Sequence, residues 1–257
     1  MLTFVGLGLY DEQSITVEGQ QVLRDADRVY AEFYTSRLVG ATVEDLEAYH
    51  DVAIEVRDRS GVEQAPDEIL AAAETASVAF LTAGDPMVST THVDLRLRAA
   101  DRGIDTRIVH GTTAQSAASG LTGLQNYRFG KATTLPFPDS HGGEGVPQSV
   151  IGTIDANRDR GLHTLVYLDI KADQEAYMQA DQAAELLATQ YEDTLGVAVA
   201  RAGSPAPVVR ADRLEALAGM TFGEPLHLLV LPGELHHIEA DALGTFGDAP
   251  SELLPVE

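Results

Sequence analysis

The 257-residue sequence contains no cysteine. Disulfide bonds, cysteine-ligated zinc, iron–sulfur clusters and thiol catalysis are therefore excluded. Long apolar runs are missing as well, because charged residues interrupt every hydrophobic stretch well before the roughly 20 residues of a bilayer-spanning helix. Residues 1–6 lack a basic flank and predict a strand instead of a signal peptide. We expect a cytoplasmic protein with no membrane association.

Lysine is scarce, since only Lys131 and Lys171 occur and arginine supplies the remaining positive charge. Aspartate and glutamate number 40 against 17 basic residues, a net charge of −23 spread along the whole chain. Such a surface is typical of a halophilic cytoplasm, where a Debye length of about 3 Å at 1 M salt screens self-repulsion. An acidic surface for a basic partner is the alternative. Both interpretations disfavour nucleic-acid binding through a basic face.

The length and a hydrophobic content of 44% allow one large domain or two of about 120 residues. Strands alternate with helices in the first part of the chain, which predicts crossover connections and a mostly parallel sheet. The predicted strands cover residues 2–9, 28–32, 52–56, 77–83 and 106–110, and the predicted helices cover residues 14–26, 66–76 and 93–102.

Near Gly111 the pattern changes, and we predict two α/β domains over residues 1–110 and 111–257. In the second domain, helices are predicted over residues 113–120, 148–160, 180–191 and 212–219, strands over 164–170, 195–201 and 226–231, and a glycine- and proline-containing loop over 137–145.

Two glycines, Gly6 and Gly8, close the first predicted strand. They either let the backbone approach a ligand, as nucleotide-binding turns do, or form only a tight turn. A dinucleotide fingerprint would place a third glycine near position 11, where the sequence has Asp11. A nicotinamide cofactor is therefore not supported.

Polar residues follow later predicted strands, at the edge where open α/β sheets bind ligands. Asp85 either accepts hydrogen bonds from ribose hydroxyls or a ligand ammonium, or forms an Asx turn. His110 is either a base or a structural residue, and His227, inside an apolar strand, has the same ambiguity. The adjacent His236 and His237 lack the i, i+4 spacing of a helical zinc site, so no metal is expected.

Several short segments resemble motifs of one known superfamily and occur in the same order along the chain. Those in the N-terminal half are Val5-Gly6-Leu7-Gly8-Leu9, Ser14-Ile15-Thr16, Ala26-Asp27 and Ala83-Gly84-Asp85-Pro86. They resemble the tetrapyrrole-methylase-like (class III) methyltransferases. Further segments resemble one family within that superfamily, the diphthine synthases: Tyr30-Ala31-Glu32-Phe33-Tyr34-Thr35-Ser36, Gly161-Leu162-His163-Thr164, Leu168-Asp169-Ile170-Lys171-Ala172, Ala200-Arg201-Ala202-Gly203-Ser204 and Leu231-Pro232-Gly233-Glu234-Leu235-His236.

The resemblance implies an α/β fold of two domains with a cleft for S-adenosylmethionine (SAM), which is converted to S-adenosylhomocysteine. The implied methyl acceptor is the amino group of a modified histidine on translation elongation factor 2, giving diphthine, and a homodimer is implied as well. The implied SAM contacts are Leu9, Asp85, Val88, Thr113, Ala114, Leu168, Ala202 and His227. We expect Gly6, Gly8 and Asp85 to line the same cleft.

Two departures from related patterns matter. Where diphthine synthases commonly have Ser-Ile, this chain has Thr113-Ala114, which keeps the hydroxyl and weakens one packing contact. Where tetrapyrrole enzymes have a Pro-Gly pair, this chain has Leu9-Tyr10.

No catalytic base is identified. His110 and Asp85 are candidates, but catalysis by positioning alone is favoured because the SAM sulfonium is already activated. The alternatives are a class III methyltransferase acting on a tetrapyrrole or ribosomal RNA, and a non-catalytic nucleotide-binding module. The aromatic cluster Tyr30, Phe33 and Tyr34 belongs either to a dimer interface or to the core.

Overall fold

The computed structural model describes residues 1–140, 142 and 145–255, and the chain divides into two compact units, Met1–Thr113 and Ala114–Glu257. The first unit contains strands β1 (Leu2–Gly6), β2 (Arg28–Glu32), β3 (Ile54–Val56), β4 (Val78–Thr82) and β5 (Thr106–Val109), and helices α1 (Val17–Asp25), α2 (Val43–His50), α3 (Asp67–Thr75) and α4 (Val93–Asp101). The strands form a parallel sheet in the order β3-β2-β4-β1-β5. The predicted parallel α/β architecture is confirmed for this unit.

Alternate side chains along these strands lie on opposite faces of the sheet and pack into two separate hydrophobic cores. Phe4 and its register partner Phe80 pack with α3 and α4 on one face, whereas Val5 and its partner Leu81 pack with α1 and α2 on the other. Because both faces are buried, the inner strands β1 and β4 are buried at every position and largely apolar. Polar residues are therefore confined mainly to the strand ends.

Side-chain caps set two helix starts that the hydrophobic pattern does not locate. α1 begins after Thr16, whose hydroxyl accepts a hydrogen bond from Gly19 N–H, so the predicted helix over 14–26 is shortened. α2 is absent from the prediction, although Thr42 and Asp45 form a reciprocal capping box at its start. This motif is the sequence signal that identifies α2.

The second unit contains strands β6 (Thr133–Leu135), β7 (Thr164–Leu168), β8 (Ile170–Lys171), β9 (Ala176–Tyr177), β10 (Leu195–Ala200), β11 (Val208–Arg213) and β12 (His227–Leu231), and helices α5 (Ala114–Thr122), α6 (Gln148–Arg158), α7 (Ala180–Ala188), α8 (Leu214–Leu217) and α9 (His237–Phe246). The main sheet has the order β11-β10-β12-β7-β6, and only the β6–β7 pair is parallel. Helices α6, α7 and α8 cover one face, and α5 and α9 cover the other. The predicted α/β class is confirmed here too, with a mixed sheet.

Two predicted elements of the second unit are wrong in part. The predicted helix over 212–219 starts too early, because Asp212 pairs with Gly196 in the ladder between β10 and β11. The predicted strand over 164–170 is interrupted at Asp169, whose carboxylate accepts hydrogen bonds from Ile170 N–H and Phe137 N–H. Side-chain-to-backbone bonds of this kind compete with ladder pairing.

The predicted loop over 137–145 contains a 3-10 turn at Pro138–Ser140, while its residues 141, 143 and 144 lie outside the described residues. Among the helices of the described residues, none is long and apolar enough to cross a membrane.

Candidate functional site

Three loops meet backbone to backbone at the carboxyl edge of the first unit's sheet. Gly8 N–H donates to Gly84 O at 3.2 Å, and Gly84 N–H donates to Gly8 O at 2.6 Å. A Cβ on Gly6 would lie 2.6 Å from both Gly111 N and Gly84 O. Gly8 has a φ of 78°, and its Cβ would lie 2.4 Å from Ser14 O. Loop packing therefore accounts for the glycines at positions 6 and 8.

Gly84 differs from its neighbours in this cluster. It has a φ of 77°, yet a Cβ built on it meets nothing within 4 Å. The backbone at this position therefore borders open space, which a ligand can approach closely. The glycine that best suits ligand approach lies after β4 instead of in the Gly6–Gly8 pair.

Asp85 joins two of these loops. Its side chain is 4% exposed, and Oδ1 accepts a hydrogen bond from Met87 N–H at 2.8 Å, which is an Asx turn. Oδ2 accepts from Gly111 N–H at 3.2 Å and from His110 Nδ1 at 2.7 Å. The structure thus shows the turn that the sequence offered as one alternative, and it adds a tie to the loop after β5.

His110 has the geometry of an oriented imidazole. Its side chain is 72% exposed, and Nδ1–H points at the buried Asp85 carboxylate. The other ring nitrogen, Nε2, is then the acceptor of the neutral ring. A buried carboxylate in this position holds the imidazole in one tautomer and one orientation.

Two buried titratable residues under the same edge were not predicted. Glu32 ends β2 and His92 precedes α4, and both are at most 1% exposed. His92 Nδ1 lies 3.0 Å from Pro86 O, in the loop that carries Asp85. A carboxylate directly after the apolar residues 29–31 of β2 is the sequence signal for this pair.

In the second unit, strand register brings three predicted residues to one edge of the sheet. β7 ends at Leu168, β12 begins at His227, and β10 ends two residues before Ala202. Ala200 pairs with His227, and Leu228 pairs with Tyr167, so these strand ends are neighbours.

Both ring nitrogens of His227 form hydrogen bonds within the protein. Its Nδ1 accepts a hydrogen bond from Ala180 N–H at 3.2 Å, and its Nε2 donates to Glu224 O at 2.9 Å. Burial lowers the pKa of His227, so the ring is neutral. This is the structural role offered by the sequence, and both ring nitrogens are engaged within the protein.

The remaining predicted residues are dispersed over both units. Leu9 follows the Gly8 turn, Val88 is 36% exposed beyond Asp85, Thr113 ends the first unit and Ala114 begins α5. His236 serves as the N-cap of α9, where its Nδ1 accepts a hydrogen bond from Ile238 N–H.

The aromatic cluster after β2 lies in the core of the first unit. Tyr30 is fully buried, and Phe33 and Tyr34 are partly buried against the two cores of the sheet. Of the two interpretations of this cluster, the structure supports core packing.

Comparison with known proteins places the chain in a family. Residues 1–218 match the family model of the Tetrapyrrole (Corrin/Porphyrin) Methylases. The chain is 71% identical to a diphthine synthase of Halorubrum lacusprofundi, with 99% of each chain covered, and 50% identical to one of Methanocella arvoryzae, with 95% of this chain and 96% of the relative covered. A crystal structure of diphthine synthase matches with a TM-score of 0.91 at 41% identity and covers 98% of both chains. The chain therefore belongs to the tetrapyrrole methylases and, among them, to the diphthine synthases.

Proposed function

We propose that the protein transfers methyl groups from SAM to the amino nitrogen of a modified histidine on translation elongation factor 2, giving diphthine. The observation that carries this function is the 71% identity to a diphthine synthase over 99% of both chains. The chain is thus a SAM-dependent methyltransferase of diphthamide biosynthesis. The relatives give no support to a tetrapyrrole or RNA substrate, or to a non-catalytic module.

The residues of the first unit fit a SAM molecule. Gly84 borders open space, and Asp85 Oδ1 accepts a hydrogen bond from Met87 N–H. A carboxylate oxygen has two lone pairs and can accept from more than one donor. A ribose hydroxyl or the ammonium of the methionine moiety satisfies that capacity. We propose that Leu9, Val88 and Thr113 contribute to this site.

The second unit contributes backbone groups. Leu168 and His227 lie at neighbouring strand ends with Ala202 close beyond a third, and the His227 ring is already hydrogen-bonded on both sides. We propose that these residues and Ala114 contact SAM through backbone and apolar atoms.

When bound, SAM supplies an electrophilic methyl group on a sulfonium sulfur. The chain must hold the acceptor amine in line with that methyl group, exclude water and remove the protons that block attack. His110 supports the last task, because Asp85 holds its Nδ1–H and leaves Nε2 as the acceptor. Most of the rate enhancement comes from positioning.

The direct test is methyl transfer to the elongation factor that carries the unmethylated modified histidine. We expect SAM-dependent mass increases in steps of one methyl group, confined to the peptide with that histidine. A protein that binds SAM but leaves this peptide unmodified would contradict the proposed substrate.

Asp85→Asn tests the assigned carboxylate, and Asp45→Asn is its matched control. Asp45 is an exposed carboxylate of the same unit that also accepts a backbone N–H, at the start of α2. We expect Asp85→Asn to weaken SAM affinity by about tenfold, the loss of roughly one charged hydrogen bond. Asp45→Asn should leave the affinity unchanged, and equal losses in both variants would contradict the assignment.

A further inference from the structure

A carboxyl group and an imidazole lie side by side in the interior of the first unit. The side chains of Glu32 and His92 are both 0% exposed, and His92 Nε2 lies 3.5 Å from Glu32 Oε1. Glu32 is the register partner of Thr82 at the end of β4, directly before the loop of residues 83–88. The pair therefore lies under the loop that carries Asp85 and Val88.

Backbone and hydroxyl donors hold the Glu32 carboxyl in one orientation. Oε2 accepts hydrogen bonds from Tyr34 N–H at 3.1 Å and Thr35 N–H at 3.0 Å. Oε1 accepts from the Thr35 hydroxyl. His92 Nε2 lies 3.5 Å from the same Oε1.

The surroundings of His92 determine its tautomer. Nδ1 lies 3.0 Å from Pro86 O, and a carbonyl oxygen only accepts, so Nδ1 carries the hydrogen. Nε2 of a neutral ring then presents a lone pair to Glu32 Oε1. Two lone pairs facing each other away from water are unfavourable, and one proton between them removes the conflict.

Burial of both groups favours placing that proton on the Glu32 carboxyl. Burial raises the pKa of Glu32 and lowers the pKa of His92, so both groups favour their neutral forms. The hydrogen bonds from Thr35 and Tyr34, and less strongly Arg59, oppose this rise in the pKa of Glu32. The Pro86 carbonyl, and less strongly Glu63, oppose the fall in the pKa of His92, but burial is the largest influence in each case. The other titratable groups nearest the pair and its loop are Tyr34 and Asp85.

We propose that Glu32 and His92 are positioning residues for the cofactor-binding loop, and that they act as a neutral pair sharing one proton held by Glu32. In this state His92 donates Nδ1–H to Pro86 O and fixes the loop that presents Asp85 and Val88. Loss of the proton places a negative charge in the interior beneath the loop, facing the lone pair of His92 Nε2. This inference rests on the SAM site proposed above.

Affinity for S-adenosylhomocysteine, measured by calorimetry on the full chain, tests the positioning role. We expect His92→Phe, which keeps a ring and removes the donor, to weaken binding at least tenfold. Glu32→Gln places an amide N–H where the proposed carboxyl proton lies, so binding should stay within about threefold of the unsubstituted protein. These fold-changes correspond to about 1.4 and 0.6 kcal/mol.

His50→Phe is the matched control. His50 is 2% exposed, it lies in the same unit at the end of α2, and neither of its ring nitrogens has a hydrogen-bond partner among the described residues. It should bind S-adenosylhomocysteine as the unsubstituted protein does. Unchanged binding by a folded His92→Phe protein, or a Glu32→Gln loss as large as that of His92→Phe, would overturn the inference.

Nitrogen-15 NMR of the unsubstituted protein provides a readout that does not depend on any variant folding. We expect the His92 ring to show a neutral Nδ1–H pattern from about pH 6 to 8, the range in which free histidine titrates. An imidazolium pattern or the opposite tautomer would overturn the proton assignment. If the unsubstituted protein binds neither SAM nor S-adenosylhomocysteine, the proposed function itself is wrong.

Discussion

Single glycines around the candidate site have different tasks, although they look alike in the sequence. Gly6 and Gly111 lie where a Cβ would meet the backbone of a neighbouring loop, at 2.6 Å and 2.2 Å respectively. Gly84 is needed for its positive φ but has open space beside it. The first kind serves loop packing, and the second kind is available to a ligand.

Alanine substitutions separate these two tasks. Gly6→Ala should lower the melting temperature strongly, because its Cβ would overlap rigid backbone atoms. Gly84→Ala adds only the cost of a left-handed backbone, about 1–2 kcal/mol, and should stay folded while its SAM affinity falls. Circular dichroism and calorimetry measure the two effects. Wild-type SAM affinity in a folded Gly84→Ala protein would contradict the ligand-facing assignment. Gly8→Val is a poorer test of ligand approach, because its Cβ would collide with Ser14 O whether or not a ligand binds nearby.

His110→Gln tests proton removal at the acceptor amine. A general base contributes about 10²–10⁴ in rate, whereas positioning alone leaves the rate nearly unchanged when the base is removed. Because Asp85 orients His110, we expect a loss of about tenfold to a hundredfold in the methylation rate with little change in SAM affinity. Single-turnover assays across pH are the measurement. A rate equal to that of the unsubstituted protein at every pH would show that His110 takes no proton.

At the scale of elements, one buried hydrogen-bonded pair, a neutral imidazole and a carboxylate, joins segments of the second unit that are distant in sequence. His163, just before β7, lies 3.0 Å from Glu239 Oε1, and both side chains are 0% exposed. Glu239 also accepts hydrogen bonds from Gln125 N–H and His236 N–H, and His163 Nδ1 accepts from Gly233 N–H. The pair therefore ties β7, α9 and two loops together.

Glu239→Gln should be destabilising by about 1–3 kcal/mol, because it leaves buried hydrogen-bond donors without the carboxylate oxygens that accept from them. The substituted amide also places N–H groups opposite the backbone donors. Urea unfolding measures the change, and Glu185→Gln on the exposed side of α7 is the control, expected to change stability by less than about 0.5 kcal/mol. Equal stability of the two variants would contradict the role of this pair.

The same pair predicts acid sensitivity. Burial alone would raise the pKa of Glu239, but hydrogen bonds from His236, Gln125 and His163 outweigh it and hold the pKa below its usual value of 4.5. Its stabilisation is therefore present above that value and lost as the pH falls through the lower native pKa. Burial also lowers the pKa of His163 from 6.5, so below that pH the unfolded chain takes up a proton that the folded chain excludes. We expect the free energy of unfolding to fall from about pH 6.5 downward, with a smaller fall below pH 4.5 in Glu239→Gln, as measured by urea titrations at each pH.

At the scale of the whole molecule, the charge of −23 dominates behaviour in solution. Relatives at 66–71% identity come from halophilic archaea, which agrees with the habitat inferred from composition. Unscreened carboxylates repel one another when salt is removed. We expect the melting temperature to fall as potassium chloride is lowered from about 3 M to 0.2 M, and a melting temperature independent of salt would contradict this account.

Docking of the elongation factor should not depend on long-range attraction. An elongation factor from the same organism is expected to be acidic too, so recognition must come from short-range shape and from the modified histidine. Methylation should therefore persist at molar salt, where the Debye length is about 3 Å. A steep loss of initial rate with rising salt, while circular dichroism shows an intact fold, would show that electrostatic attraction drives docking.

The homodimer remains a prediction from the family resemblance. The burial of Tyr30 and the partial burial of Phe33 and Tyr34 in one unit remove the aromatic cluster as an argument for it. Light scattering at molar salt should give twice the chain mass of 27.4 kDa. A fully active monomer would contradict the prediction.

The sequence alone determined the features that depend on local hydrophobic patterns and on short motifs that follow one another in a given order along the chain. Apolar runs alternating with amphipathic stretches predicted the parallel sheet of the first unit, and motifs such as residues 83–86 predicted the family that the comparisons established. The sequence was a less reliable guide to secondary structure where side-chain hydrogen bonding competes with the hydrophobic pattern. The alternating residues of β11 were missed, and the carboxylate of Asp169 ended a strand that the apolar pattern would have continued.

Only the tertiary structure decided which side chains are free to act. The sequence presents His92, His110, His163 and His227 as four equivalent imidazoles, whereas the folded chain exposes one and commits the other three to buried partners. Two of those partners, Glu32 for His92 and Glu239 for His163, are 60 and 76 positions away. Proton positions depend on burial and on contacts within a few ångströms, and sequence spacing carries neither quantity for residues so far apart.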